Sequence, residues 1–337
     1  MSLRALFIGG TGTISSACVQ QAVESGFDVT ILNRGTSKSW SPHQEAKLLT
    51  ADVRDAEAVR EVLGRQTFDV VADFIAFLPE HVRTDLALFA GITGQYVFIS
   101  SASAYQTPPA RLPIVESTPL RNPEWQYSRD KIACEDELVR AYRETGFPMT
   151  IVRPSHTYAR TSVPLVGDRT ALQRMRKGLP VVVHGDGTSL WTLTHHRDFA
   201  NAFTGLLGNP QAIGDSFHIT SDEVLSWNQI YTMVAAALGV QPRLVHVASR
   251  VIAQELPHFG PGLLGDKAHS MVFDNSKVKA VVPGFCAKIS FAQGAREIAE
   301  WNASQPDGFG LDKRSARPST RWPTASRPPS REGAAIP

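Results

Sequence analysis

The sequence predicts an α/β chain, a doubly wound parallel sheet followed by a smaller C-terminal α/β lobe. Two observations predict it. The first is Leu6-Phe7-Ile8-Gly9-Gly10-Thr11-Gly12-Thr13-Ile14-Ser15, which reads as strand, glycine turn and helix start. The second is alternation, since apolar runs of strand length recur with helical patterns between them. After the turn, Ile14, Cys18, Val19, Ala22 and Val23 repeat at helical spacing, and Gly26 stops the helix. Val29-Thr30-Ile31-Leu32 is the second strand and completes a strand–helix–strand unit of about thirty residues. A third strand ends at Thr50-Ala51-Asp52-Val53. The fourth is Asp69–Phe74, the fifth Tyr96–Ser101 and the sixth Met149–Arg153. This is the Rossmann-type pattern.

The C-terminal half is less regular. Val181-Val182-Val183 reads as a strand, and Trp227–Leu238 as a helix stopped by Gly239. Asp274-Asn275-Ser276-Lys277 is expected to cap a helix packed against the substrate side. The tail holds Pro318, Pro323, Pro328, Pro329 and five arginines. Such a segment buries too little apolar surface to order itself. The expected organisation is a nucleotide-binding domain over 1–153, a substrate lobe over 154–302 whose elements can return to the sheet, and a disordered tail over 303–337.

The glycine turn lets a pyrophosphate approach bare backbone and sit on a helix N-terminus. Gly9, Gly12, Thr13 and Ile14 are the expected contacts. Ser15 stands where a third glycine is usual, at a position that governs helix–strand packing. The second strand ends Leu32-Asn33-Arg34-Gly35, without the acid that binds an adenine ribose in NAD sites. Asn33 does not repel a 2′-phosphate and Arg34 can pair with one, so NADP is favoured over NAD. Asp52 is placed to accept from the adenine amino group or to cap the helix beginning near Asp55. Val53 and Phe74 are expected beside the cofactor.

Tyr127-Ser128-Arg129-Asp130-Lys131 sets a phenol and an ammonium four residues apart, on one helix face. An ammonium lowers a nearby phenol's pKa from about 10. Ser101, at the end of the fifth strand, can donate to the same substrate oxygen.

Gly9-x-x-Gly12-x-x-Ser15, Asp52, Ser101 and Tyr127-x-x-x-Lys131 together resemble the extended short-chain dehydrogenase/reductase superfamily, which includes NAD(P)-dependent sugar epimerases and dehydratases. Arg153-Pro154, Gly185-Asp186-Gly187 and Asp198 extend the resemblance over roughly residues 3–302. It implies that Ser101 and Tyr127 hold the reacting oxygen, that Tyr127 moves its proton, and that Lys131 binds the nicotinamide ribose and tunes Tyr127. It also implies a homodimer through this helix, for which Ile132, Leu138, Val139 and Tyr142 are candidates.

The sequence departs from that pattern on the substrate side. Ala102 and Ser103 stand where many dehydratases carry an acidic pair. His156 replaces an asparagine that meets substrate phosphates in many epimerases. Trp191 stands where many have an arginine. Ser103, His156, Trp191 and His195 are therefore the expected substrate contacts, with at most one phosphate on the substrate. Trp191 either stacks on a flat face or only packs the lobe. Adjacent His195 and His196 lack ligand partners at zinc spacing, so no metal is expected.

Composition narrows the rest. With 42% hydrophobic residues, the 337-residue chain can bury a sizeable core, and a net charge of +2 does not call for nucleic acid or membrane. Three scattered cysteines argue for a reducing compartment. The first apolar run is too short for a signal peptide, and no apolar run is long enough to span a membrane, so a cytoplasmic protein is expected. The expected activity is transient oxidation of a secondary hydroxyl on a sugar, nucleoside or nucleotide-sugar, followed by epimerisation or elimination. The alternatives are a simple NADPH-dependent carbonyl reductase and an RNA-binding protein like the chloroplast stem-loop binders.

Overall fold

The computed structural model describes residues 2–35 and 43–305. Strands β1 (Arg4–Ile8), β2 (Asp28–Asn33), β3 (Lys47–Thr50), β4 (Val70–Asp73), β5 (Tyr96–Ile99) and β6 (Met149–Pro154) lie in one parallel sheet. Its order is β3-β2-β1-β4-β5-β6, with a seventh strand beyond β6. The order reverses at β1 and β4, the place where such sheets bind ligands at the strand ends.

Period-two geometry explains why the strands read as continuous apolar runs. In β1, Ala5 and Phe7 enter the core on one face of the sheet, and Leu6 and Ile8 the core on the other. The second face is covered by α2 (Ala56–Leu63), α3 (Pro79–Phe89) and α4 (Gln126–Thr145). The first is covered by α1 (Thr13–Glu24) and by elements from later in the chain. Phe74 stacks on Phe7 with ring centroids 6.0 Å apart and meets Phe203 at 5.4 Å.

Beyond β6 the chain forms β7 (His156–Tyr158), α5 (Asp168–Arg176), β8 (Pro180–His184), β9 (Leu190–Trp191), β10 (Leu193–His195) and α6 (His196–Leu206). It then forms β11 (Asp215–Ile219), β12 (Leu225–Ser226), α7 (Trp227–Ala237) and β13 (Arg243–Val247). β11 pairs with β6 as the seventh sheet strand, and α6 packs on α1. Both arise within the residues expected for the substrate lobe. The remaining strands make small pairs, β7 with β10, β8 with β13 and β9 with β12. They surround a separate core that includes Trp191, Trp227, Tyr231 and Phe291.

At the expected Asp274–Lys277 cap, Asp274 Oδ1 accepts from Ser276 N at 2.8 Å, while Asn275, at the N-cap position, makes no side-chain capping bond. Its helix, Ser276–Val281, does not pack on the substrate side. Val278, with Val281 and Val282, forms an i, i+3, i+4 stripe that joins the sheet core. Gly205 makes the approach possible, since a Cβ there would lie 2.4 Å from Val282 Cγ1. The last described helix is Phe291–Ser304, so residues 303 and 304 are helical. The rest of the expected tail, from 306 on, lies outside the described residues. Among those described, no helix is long and apolar enough to cross a membrane.

Candidate active site

The glycine loop joins β1 to α1. Gly9 has φ +85°, and a Cβ on it would lie 2.6 Å from Ile75 Cγ2. Both the turn and the close approach to the loop after β4 require glycine there. Ser15 does more than fill space. Its hydroxyl donates to Gly9 O and accepts from Gly12 N, both at 2.8 Å, and so fastens the loop to the first turn of α1. A Cβ on Gly12 would meet only Ser15 Oγ, at 3.2 Å. Open space over a helix N-terminus with no acid in its first turn fits a pyrophosphate. Thr13 and Ile14 are the first helical residues, and Thr13 O accepts from His196 Nδ1 at 3.1 Å.

At the adenosine end, Asn33 Oδ1 accepts from Gly35 N at 2.8 Å. Arg34 is two-thirds exposed and stands 3.8 Å from Asp52 in a loose ion pair. Asp52 accepts from Arg54 N and does not cap α2, because Asp55 does so through Glu57 N and Ala58 N. Two expected cofactor contacts are placed otherwise. Val53 is buried in the sheet core, and the Phe74 ring belongs to the aromatic cluster with Phe7 and Phe203. Their side chains are committed to packing, which leaves their backbone for a cofactor.

Ser101 follows β5 and opens a short 3₁₀ turn, Ala102–Ala104. Its hydroxyl lies 2.8 Å from that of Ser103, and the buried Ser128 hydroxyl donates to Ser103 at 2.7 Å. The Ser101, Ser103 and Ser128 hydroxyls thus form one chain, in which Ser103 accepts from Ser128 and shares a proton with Ser101 in either direction. Sequence reasoning passed over Ser128, although it lies inside the Tyr127–Lys131 motif.

Tyr127 and Lys131 both lie on α4. Lys131 is buried, with Nζ donating to Ala76 O and Ile99 O at 2.7 Å each. It stands 4.7 Å from the ring centroids of Phe77 and Phe98, and 5.9 Å from that of Tyr127. Burial draws its pKa down to about 8. The expected lowering of the Tyr127 pKa is not what this arrangement produces. Burial raises it, a hydrogen bond with Ser101 opposes the rise, and Asp266 adds to it. The ammonium is engaged with carbonyls instead of the phenol.

One turn beyond Lys131, Glu135 anchors α4 to the sheet. Arg153 Nε and Nη2 donate to its two oxygens at 2.9 and 2.6 Å, and Ser100 Oγ donates at 2.5 Å.

A cavity of about 320 Å³ opens in front of these groups. Ile14, Ser101, Ser103, Tyr127 and Trp125 line it, together with His156, Trp191, Asp266 and Lys267, and the Trp125 and Tyr127 rings stand 4.9 Å apart. A larger chamber of about 690 Å³ adjoins it, sharing Trp125, His156, Thr157 and Lys267 and reaching Arg169. His156 and Trp191 meet in an edge-on contact at 6.3 Å. Burial and the charge of Lys267 take the His156 pKa down to about 3, so it is neutral near pH 7 and cannot shuttle protons there. Trp191 both lines the cavity and packs on Trp227 at 5.3 Å.

His195 is not on this cavity. It is buried at the start of α6, where Nδ1 accepts from Arg197 N and Nε2 lies 3.1 Å from Glu297 Oε2. Both ring nitrogens are used in capping and tethering, which corrects its assignment as a substrate contact.

Sequence reasoning also missed Asn122, Trp125, Asp266 and Lys267. Asn122 Nδ2 donates to Ser103 O at 2.9 Å and to Gly265 O at 2.7 Å, joining the serine turn to the π-helical turn Leu263–Lys267. A local signal existed for Asn122, because its Oδ1 accepts from Glu124 N and Trp125 N just before α4. Only the fold could bring Asp266 and Lys267 here.

Comparison with known proteins agrees with this architecture. The NAD dependent epimerase/dehydratase family matches residues 5–220. A 2′-dehydrokanamycin reductase from Streptomyces kanamyceticus is 27% identical over 258 residues, 76% of this chain and 72% of that protein. A UDP-glucose 4-epimerase from Lactobacillus helveticus is 25% identical over 91% of this chain and 99% of its own length. A chloroplast stem-loop binding protein from Arabidopsis thaliana is 28% identical over 72% of this chain and 65% of its own. Among solved structures, an epimerase from Methanothermobacter thermautotrophicus shares the fold, with a TM-score of 0.74 over 89% of this chain and 92% of that one at 15% identity. The chain belongs to the NAD-dependent epimerase/dehydratase family.

Proposed function

We propose that the enzyme transfers hydride between NAD(P) and a secondary hydroxyl or carbonyl of a sugar or nucleoside-type substrate seated in the inner cavity. The observation that carries this reading is that Ser101 and Tyr127 share one cavity with Ile14 of the glycine loop. The cofactor, when bound, accepts and returns the hydride. Tyr127 exchanges the proton of the reacting oxygen, and Ser101, at the end of the Ser128–Ser103 chain, hydrogen-bonds that oxygen. Lys131 supplies a buried positive charge behind the phenol. The neutral phenol favoured by burial is the form that donates to a carbonyl oxygen.

Oxidation acidifies the adjacent C–H, so epimerisation or elimination can follow before the hydride returns. Simple carbonyl reduction is the second reading. Ala102 and Ser103 favour it, because they offer no carboxyl beside Ser101 and the Ser103 hydroxyl is already bonded on both sides. The complete Ser101–Tyr127–Lys131 set favours an enzyme over an RNA binder. The exposed Arg34 supports NADP. A cytoplasmic homodimer completes the proposal. Leu138 is withdrawn from the expected interface because it is buried in the core, while Tyr142 is 40% exposed and available.

The mass of the nucleotide that co-purifies identifies the cofactor. Tyr127→Phe should lower turnover by at least about a hundredfold while cofactor affinity stays unchanged. Near-parent turnover in that variant removes the mechanism.

A further inference from the structure

Asp266, on the π-helical turn Leu263–Lys267, lines the same inner cavity as Ser101 and Tyr127 and stands near enough for its charge to act on Tyr127. Turns of this kind are frequent at functional sites. Only 15% of its side chain is exposed. Among the described residues, nothing donates a hydrogen bond to its carboxylate. Lys267 Nζ stands 4.0 Å from Oδ2, in charge contact without a hydrogen bond. A carboxylate this enclosed is costly unless a donor reaches it. Burial accordingly raises its pKa to about 6, with Lys267 opposing the rise.

The walls beside it are aromatic. Lys267 Nζ lies 5.9 Å from the ring centroids of both Trp125 and Trp191. An ammonium near two indoles and a carboxylate is a cation-recognition arrangement, filled here by the protein's own side chain. Lys267 is poorly bonded, 29% exposed and carried on a flexible stem, so a ligand cation can displace it outward. The indoles also offer flat faces for a sugar ring.

We propose that Asp266, with Trp125 and Trp191, forms an ammonium site, and that the substrate is a sugar carrying a protonated amine close to the carbon that Tyr127 serves. The proposal rests on the inner cavity being the substrate site. It adds the chemical class that the site selects. The Asp266 carboxylate receives the amine N–H groups, the indole faces flank the charge, and the reacting hydroxyl falls between Ser101 and Tyr127.

The test is calorimetric titration of the full chain with methyl glucosaminide and with methyl glucoside, each with and without NADPH. The amine should bind at least about tenfold more tightly than the hydroxyl sugar. Asp266→Asn should erase that preference while NADPH affinity and melting temperature hold. Lys267→Gln, which removes the competing ammonium, should strengthen amine binding, and it serves equally if Asp266→Asn fails to fold. Equal affinities for the two sugars, no binding of either at millimolar concentration, or weaker amine binding in Lys267→Gln overturns the ammonium site. A parent chain that prefers the amine but binds neither NADPH nor NADH sinks the redox reading and leaves the ammonium site standing.

Discussion

Around the glycine loop the working groups are backbone atoms, while around the inner cavity they are side chains. The loop needs residues that stay out of the way. Gly9 and Gly12 leave room, and Ser15 holds the turn with bonds to Gly9 O and Gly12 N. The cavity needs residues that reach in, and it takes them from the turn after β5, α4, β7, β9 and the turn Leu263–Lys267. A backbone site tolerates drift in sequence as long as the turn survives. A side-chain site assembled from distant segments changes its ligand with one substitution. The two regions meet at Ile14, the loop residue that lines the cavity, while α4 carries Tyr127 toward the cavity and Glu135 into the sheet.

The largest effect is expected where that helix is anchored. Glu135→Ala strands the Arg153 guanidinium in a buried position, and losing one partner of a buried pair costs about 3–5 kcal/mol. Urea denaturation should show that loss. A change below about 1 kcal/mol would mean that α4 is held chiefly from the cavity side.

A smaller effect should appear with pH. Lys131 titrates near 8 in the folded chain, against about 10.4 when unfolded. Between those values the unfolded chain binds more protons, so stability rises with pH across that window and the burial penalty is fully present below it. The stability of the parent relative to Lys131→Met should therefore climb between pH 8 and about 10.4 and stay level below pH 8. Denaturation midpoints over that range read it directly. A level difference throughout would place the ammonium in a more polar setting than its two carbonyl bonds and three rings describe.

The smallest effect tests the loop side at its one informative side chain. Arg34→Asp should move the NADP-to-NAD affinity ratio toward NAD by about tenfold, since a carboxylate repels a 2′-phosphate and accepts from a ribose hydroxyl. The Asp52 partner makes this sharper, because the variant sets two acids side by side. An unchanged ratio would show that cofactor choice, too, is set by backbone.

What could be read from the sequence follows the same division. The sheet was legible because its central strands bury both faces and each helix one stripe, so β1 and α1 are written in local periodicity, while the edge strand β3 stays largely exposed. The placement of Ser101, Tyr127 and Lys131 was legible because a strand end and a four-residue spacing on one helix face set it. The lobe was not. The helix at Ser276 was expected on the substrate side, but the stripe begun by Val278 belongs to the sheet core, and periodicity does not say which core a helix joins. His195 looked available beside Trp191, yet helix capping and Glu297 consume both of its nitrogens. Asp266 carries no local signal, since a carboxylate after a glycine becomes notable only when the fold brings it into one cavity with a tyrosine about 140 positions earlier.

Asn122 has a consequence for how such an enzyme changes its substrate. One amide nitrogen holds the serine turn and the π-helical turn together, at 2.9 and 2.7 Å. Selection acting on the outer turn therefore tugs on the reacting end of the site. Mutations there will shift turnover and ligand choice together, and a lineage drifting toward a new sugar must retune both in step. Grafting a foreign version of this turn will succeed only when it keeps a carbonyl where Gly265 presents one.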